Sequence, residues 1–414
     1  MPSAVSALGP LRVLDFSRVL AGPFATMVLA DLGATVTKVE RPGSGDETRA
    51  WGPPHDAHGD ATYYLSVNRN KTSIALDLST PAGLAHAREL ALASDVLVEN
   101  FRPGVMDRLG LGAAELTTVN PGLIYCSITG FGPGPGAGLP GYDLLIQAVG
   151  GLMSITGEPG GEPQKVGVAV VDVLAGLFAT VGILAALRYR ETTGQGQRVE
   201  VDLLSSLLAA LVNQGAAFTA GKTVPGRLGS RHPSIAPYEL VACSDRELAL
   251  AVGNDRQFGT LCAVIGEPAL AADPRFGSNT GRVGHRDALR TALERRLATR
   301  PAAVWAAELT AAGVPAGVVN DVAGGFQLAA DLGLDPIVRL PRPDGDPVPL
   351  TRNPIGLSAT PVQYVSAPPP LPAGGSPGEA GYRRAEAEGR VVGVPRPPAG
   401  RGTPPLRRST RRWT

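Results

Sequence analysis

The sequence predicts an α/β fold: a parallel-sheet, Rossmann-like large domain followed by a smaller α+β domain. Three observations predict it. Over the first ~150 residues, short β-branched runs alternate with longer helix-like runs, the pattern of successive βαβ units. At residues 221–237 that pattern breaks into Gly, Pro and Ser, which marks a boundary. The length of 414 residues also exceeds the size at which one core usually divides. The expected division is 1–220 for the large domain, 221–330 for the small one, 331–371 for a return to the large domain, and 372–414 for a tail.

The elements follow in order. Residues 11–16 read as a buried strand, and Gly22-Pro23 opens an apolar helix closed by Gly33. Residues 35–39 make the second strand and 73–78 the third. Thr80 and Pro81 serve as N-cap and first residue of the next helix, and 95–98 form the fourth strand. A fifth strand is expected at 123–128 and a helix at 142–149. Residues 167–171 are β-branched and strand-like, so the following helix is expected to run from Asp172 to Leu187. A turn at 193–196 leads into a strand at 198–203 and a helix at 204–218. The small domain holds a strand at 247–252 and helices at 256–265, 285–299 and 302–312. From Ala367 onward Pro, Gly, Ala and Arg dominate, a composition that predicts that much of this stretch is disordered or loosely attached.

Composition excludes several classes of function. Hydrophobic residues at 43% and charged residues at 18% allow a large core. With 38 basic and 37 acidic residues, there is no electrostatic case for nucleic acid or an anionic membrane. Cys126, Cys243 and Cys262 are widely spaced and form no CxxC, which argues against a disulfide framework or a zinc site. No apolar signal core precedes the first strand, so a cytoplasmic protein is expected. Between 166 and 187 the only charge is Asp172, a length that would just span a bilayer. A strand at 167–171 leaves too short a helix, so a buried core helix and no membrane are expected.

Familiar motifs mostly fail. Gly130-Phe-Gly-Pro-Gly-Pro-Gly follows a strand, but its prolines spoil a phosphate-binding helix start, so a turn-rich loop is expected. There is no Walker A lysine and no GxSxG elbow. His55 and His58 lie in a Gly/Pro/Asp loop without further ligands, and no metal site is predicted. Asp172 stands out as the one carboxylate in a long apolar run, where strand gives way to helix. Helix dipoles would hold it as an anion while apolar neighbours desolvate it, the condition of a competent nucleophile. A simple N-cap is the equal alternative. Lys38, Arg41 and Arg49 follow the second strand, Arg69 and Lys71 precede the third, and Arg102 and Arg108 follow the fourth. Cations past strand C-termini would converge on the ligand crevice and suit a nucleotide polyphosphate.

At this point a family resemblance enters. Val13-Leu-Asp-Phe-Ser-Arg-Val-Leu-Ala-Gly-Pro-Phe, Ala34-Thr-Val-Thr-Lys-Val-Glu-Arg-Pro-Gly-Ser-Gly-Asp and Val98-Glu-Asn-Phe-Arg-Pro-Gly resemble the class III CoA-transferases. So do Gly141-Tyr-Asp, Gly167-Val-Ala-Val-Val-Asp-Val-Leu-Ala-Gly, Asp273-Pro-Arg-Phe and Asn353-Pro-Ile-Gly-Leu-Ser, in the same order. The resemblance implies the class III fold with an interlocked homodimer. It implies acyl-CoA and carboxylic acid substrates, with the coenzyme A thioester as substrate and no tightly bound cofactor. Asp172 then occupies the nucleophile position, with Tyr142 and Asp143 as a catalytic pair beside it. Val19, Ala21, Arg41, Leu76, Asn100, Phe101 and Arg108 match CoA-binding positions. Leu20 departs from the glutamine of formyl-CoA transferase, which speaks against oxalate chemistry. Tyr142 stands where the related racemases carry a proton-shuttling histidine, and a tyrosine is a poor base at neutral pH. Ser230-Arg-His-Pro-Ser-Ile-Ala-Pro-Tyr, Thr62-Tyr-Tyr-Leu-Ser-Val-Asn-Arg-Asn-Lys and Trp51-Gly-Pro-Pro look most like the branch that uses succinyl-CoA and glutarate; His232 and Ser234 are then the candidate substrate-binding residues for a distal carboxylate, with an ordinary loop as the equal alternative. An acyl-CoA racemase and a non-catalytic CoA-binding protein are the rival readings.

Overall fold

The computed structural model describes residues 6–343 and 345–372. From residue 373, the tail expected at 372–414 lies outside the described residues. Six strands, β1 (Arg12–Asp15), β2 (Thr35–Glu40), β3 (Lys71–Ala75), β4 (Val96–Glu99), β5 (Ile124–Thr129) and β6 (Arg198–Asp202), form one sheet in the order β3-β2-β1-β4-β5-β6. Every neighbouring pair is parallel. The central strands are covered on both faces, so β4 buries all four of its residues. Strand order reverses between β1 and β4, which opens a crevice at their C-terminal ends.

Ten α-helices belong to the described residues of this part of the chain: α1 (Ala21–Asp31), α2 (Thr62–Val67), α3 (Pro81–Ala93), α4 (Val105–Arg108), α5 (Ala113–Val119), α6 (Asp143–Val149), α7 (Leu152–Ile155), α8 (Val170–Thr193), α9 (Leu203–Ala210) and α10 (Val212–Thr219). One face of the sheet is covered by α1, α8 and α9, through a core that includes Ala25, Leu29, Ala175, Ala179, Ile183 and Leu207. The other face is covered by α3 and α5, through Ala87, Leu90, Ala91 and Leu116. Helices α1 and α8 approach closely because Gly176 has no side chain. A Cβ there would lie 2.6 Å from the Ala21 carbonyl oxygen.

Later in the chain β7 (Tyr238–Ala242), β8 (Glu247–Ala251) and β9 (Ala316–Val318) form an antiparallel sheet. It is joined by α11 (Asp255–Val264), α12 (Pro268–Ala272), α13 (Asn279–Gly284), α14 (Arg286–Leu297), α15 (Ala302–Ala311) and α16 (Val322–Asp331). Phe258, Leu293 and Trp305 anchor a separate core there. The hairpin β10 (Ile337–Leu340) and β11 (Val348–Thr351) then packs with Leu65 of α2. Asn353 Nδ2 donates to Asp31 at 2.9 Å, and Arg69 Nη1 to the Thr351 carbonyl at 2.9 Å.

Two expectations need correction. Residues 167–171 are not a strand: Val170 already begins α8, which continues to Thr193 over 24 residues. The edge of β5 is taken by β6, so the β-branched run has no strand to join, and packing of Val171 overrides propensity. Helix α8 is therefore long and apolar enough, by length and composition, to cross a bilayer; its stripe from Val171 to Leu187 is buried against the sheet and α1. The helix expected at 204–218 is two helices, because Val212 adopts φ 42°. Residues 367–369 are docked. Ala367 is buried, and the Pro369 carbonyl accepts from Arg49 Nη2 at 3.1 Å and Tyr64 Oη at 3.2 Å.

Candidate active site

The loop between β1 and α1 is the first part of the site. Val19, a β-branched residue, adopts φ 69° there, a left-handed conformation that persists only where surroundings hold it. They do. Lys38 Nζ donates to the Ser17 carbonyl at 2.8 Å, and Asp46 Oδ1 accepts from the Val19 N–H at 3.3 Å. Asn100 clasps the Arg18 backbone, accepting from its N–H at 2.9 Å and donating to its carbonyl at 2.7 Å. The loop is thus rigid and aimed at the crevice.

Two cavities meet at that loop. One, of about 310 Å³, is lined by Phe16, Arg41, Leu76, Leu78 and Phe101. The other, of about 210 Å³, is lined by Val19, Ala21, Asn100, Phe101, Tyr142 and Asp172. Arg18 and Phe101 line both. Most of the expected residues are therefore brought together. Arg108 is exposed on α4 and lines neither cavity, and neither do His232 and Ser234. The loop of His232 is fixed instead by Arg286, whose Nη1 donates to the His232 carbonyl at 2.9 Å, and by Asn279, whose Nδ2 donates to the Ser234 carbonyl at 2.9 Å.

The expected convergence of cations is mostly not realised. Lys38 pairs with Asp46 at 2.9 Å, Arg49 with Glu40 at 2.7 Å, Arg69 with Asp31 at 2.6 Å and Lys71 with Asp15 at 3.1 Å. These charges support the crevice from below. Arg41, Arg18 and Arg102 are the guanidinium groups that line the cavities among the described residues.

Asp172 is the third residue of α8, and the N-cap is Ala169, so the simple capping alternative is excluded. Its carboxyl is pushed up to about 7 by burial and then by the charge of Asp143. The helix dipole favours the anion, but desolvation outweighs it here. Asp143 itself is occupied in holding the site together. Its Oδ1 accepts from the Val171 N–H at 2.8 Å and its Oδ2 from Gln147 Nε2 at 2.7 Å. The start of α8 is thereby capped from α6, one residue before the nucleophile candidate. Tyr142 is exposed and lines the same cavity.

Sequence reasoning missed Arg18, Trp51 and Tyr63. Trp51 lines the Asp172 cavity and meets the Tyr63 ring edge-on, with centroids 5.2 Å apart. Burial, with the charges of Asp172 and Asp143, pushes the Tyr63 phenol up to about 12, so it stays a neutral hydroxyl. All three stood inside the recognised strings, but nothing in their spacing showed that Arg18 and Trp51 line the Asp172 cavity or that Tyr63 packs against Trp51.

Comparison with known proteins decides the family. The model of CoA-transferase family III matches residues 8–374. The chain belongs to that family. This CoA-transferase is 43% identical to a succinate–glutarate CoA-transferase of Agrobacterium fabrum, over 90% of this chain and 94% of the relative. It is 46% identical to an acetyl-CoA:oxalate CoA-transferase of Acetobacter aceti, over 76% of this chain and 80% of the relative. Among solved structures, a CAIB/BAIF family protein from Brucella suis superposes with TM-score 0.79 at 42% identity, covering 88% of this chain and 96% of that one.

The raised carboxyl of Asp172 gives the CoA-transferase a pH signature. If the anion is the reactive form, kcat/KM falls about tenfold per pH unit below pH ~7 and is level above it. Asp143→Asn keeps an oxygen for the Val171 N–H but removes the like charge, so the acid limb should move to lower pH. A pH–rate profile of both proteins checks this; an unshifted limb in the variant contradicts it.

Proposed function

We propose that this CoA-transferase moves coenzyme A from succinyl-CoA to a short dicarboxylate such as glutarate, with Asp172 as nucleophile. The observation that carries the reading is the position of Asp172, in a cavity that adjoins the Arg41 cavity through Arg18 and Phe101. An acyl-CoA can then lie with its nucleotide against Arg41 and Leu76 and its thioester beside Asp172. The Asp172 carboxylate attacks the donor thioester carbonyl and expels CoA thiolate, leaving a mixed anhydride. The thiolate attacks the aspartyl carbonyl, releasing the donor acid and forming an aspartyl-CoA thioester. The acceptor carboxylate attacks that thioester, again expelling thiolate, and the thiolate takes the acceptor's acyl group from the second anhydride. Each step exchanges one acyl bond for another, so the chemistry needs no metal or redox partner. Tyr142 lines the cavity as part of its wall, and Asp143 acts by positioning α8.

The dicarboxylate reading draws on the names of relatives and on Arg102. This guanidinium lines the Asp172 cavity and carries no salt bridge among the described residues, so it is available to a distal carboxylate. An interlocked homodimer is the proposed assembly. Its support within one chain is the exposure of Leu177, Phe178 and Val181 on α8 and of Val212 and Phe218 on α10, apolar side chains that a second copy would cover.

A matrix of CoA esters against carboxylic acids, read by mass spectrometry of the CoA products, tests the function. Turnover of succinyl-CoA with glutarate is expected. Deuterium exchange at Cα without transfer would favour a racemase, and CoA binding without any transfer would favour a binding protein. Replacing Arg41 with Ala should raise KM for acyl-CoA about ten- to hundredfold while kcat changes little, the loss of one charge-assisted contact. An unchanged KM would show that the nucleotide lies elsewhere.

A further inference from the structure

Arg18 is the one cation that lines both cavities among the described residues. Its backbone is clasped on both sides by Asn100, so the side chain leaves from a fixed point. The guanidinium lies over the Phe101 ring, 5.1 Å from its centroid, and Nη1 donates to the Glu47 carboxylate. The Nε atom is buried and has no hydrogen-bond partner among the described residues. A buried donor left unpaired is costly, and it identifies where an acceptor is missing.

We propose that Arg18 grips the phosphopantetheine arm of the acyl-CoA at the junction of the two cavities, exchanging Glu47 for oxygen atoms of the ligand. This rests on the CoA-transfer reading above and adds a residue to it. The arm joins the nucleotide to the thioester, and its amide carbonyls and diphosphate offer only acceptors to a guanidinium with five donors. The pair with Glu47 is suited to exchange. The two side chains are 36% and 43% exposed, so breaking their contact costs little, whereas Lys38 and Asp46 are both wholly buried. Glu47 then acts as a competitor that neutralises Arg18 until the ligand arrives.

The two halves of the ion pair should therefore respond with opposite sign. Calorimetric titration of the full chain with CoA is expected to show Arg18→Gln binding about ten- to hundredfold more weakly. Arg18→Lys, which keeps the charge but lacks Nε and the planar fork, should fall between that variant and the unmodified protein. Glu47→Gln should bind CoA more tightly by a few-fold. A purely structural ion pair would weaken binding alike from either side, and that result overturns the proposal, as does unchanged affinity in Arg18→Gln. If Arg18→Gln fails to fold in a thermal melt, the Lys and Glu47 variants still decide the sign. Failure of the unmodified chain to bind CoA would instead overturn the CoA reading itself.

Discussion

Replacement of Asp172 by Asn is expected to reduce CoA transfer by at least about a thousandfold, because an amide cannot form the anhydride. The same change should make the protein more stable at pH 8. In the native chain the carboxyl is pushed up to about 7 from an ordinary value of 3.8. An acid raised in this way opposes folding once it must ionise. The penalty is absent below the ordinary value, grows as pH rises between the two values, and is complete above the folded value. The full shift would correspond to about 4 kcal/mol, and partial access of solvent to the cavity reduces this to about 1–2 kcal/mol. Thermal melts of both proteins at pH 8 and at pH 5 check the sign. A less stable Asn variant at pH 8, or a variant that still transfers CoA, contradicts the assignment.

The second large effect lies below the crevice. Lys71→Met should destabilise the fold by about 3–5 kcal/mol, because it leaves the Asp15 carboxylate buried without its cation. Lys71 Nζ donates to Asp15 at 3.1 Å, to the Pro23 carbonyl at 2.9 Å and to Asn68 Oδ1 at 3.0 Å, so three acceptors each lose a donor at once. Asp15 in turn accepts from Ser17 and from Thr26 Oγ1 at 2.6 Å, which ties the pair to both ends of the loop that carries Val19. Burial pulls the Lys71 ammonium down to about 8 even with Asp15 beside it, a measure of how dry the pair is. Removing both charges, in the double variant Asp15→Asn with Lys71→Met, should restore much of the stability lost in the single one. Urea midpoints of the three proteins test this. Equal loss in the single and double variants would show that the pair is not the cause.

The parallel sheet was legible because β1, β2, β4 and β5 are short runs rich in β-branched and other strand-forming residues, separated by helix-length spacers. Asp172 was legible for a related reason, since a lone carboxylate in an apolar run has few structural uses. What the sequence hid was pairing in space. Lys38, Arg49, Arg69 and Lys71 read as ligand-binding cations, yet each meets a carboxylate from a different element, and no local spacing reveals such partners. The start of α8 was misread for the same reason. Val170 and Val171 have strand propensity, but Asp143 from α6 caps the Val171 N–H and the free edge of β5 goes to β6. Arg18 remained unremarked because its importance comes from the junction of two cavities, which only the folded chain creates.

The central claim is that CoA becomes bound to Asp172 itself, and covalent trapping tests it most directly. The protein is mixed with succinyl-CoA, quenched with hydroxylamine and digested, and the peptide carrying Asp172 is examined by mass spectrometry. The account predicts an aspartyl hydroxamate at Asp172 that forms only when acyl-CoA is present and is missing from the Asp172→Asn variant. A hydroxamate on another carboxylate, or transfer that proceeds at full rate with no trapped residue, would contradict it.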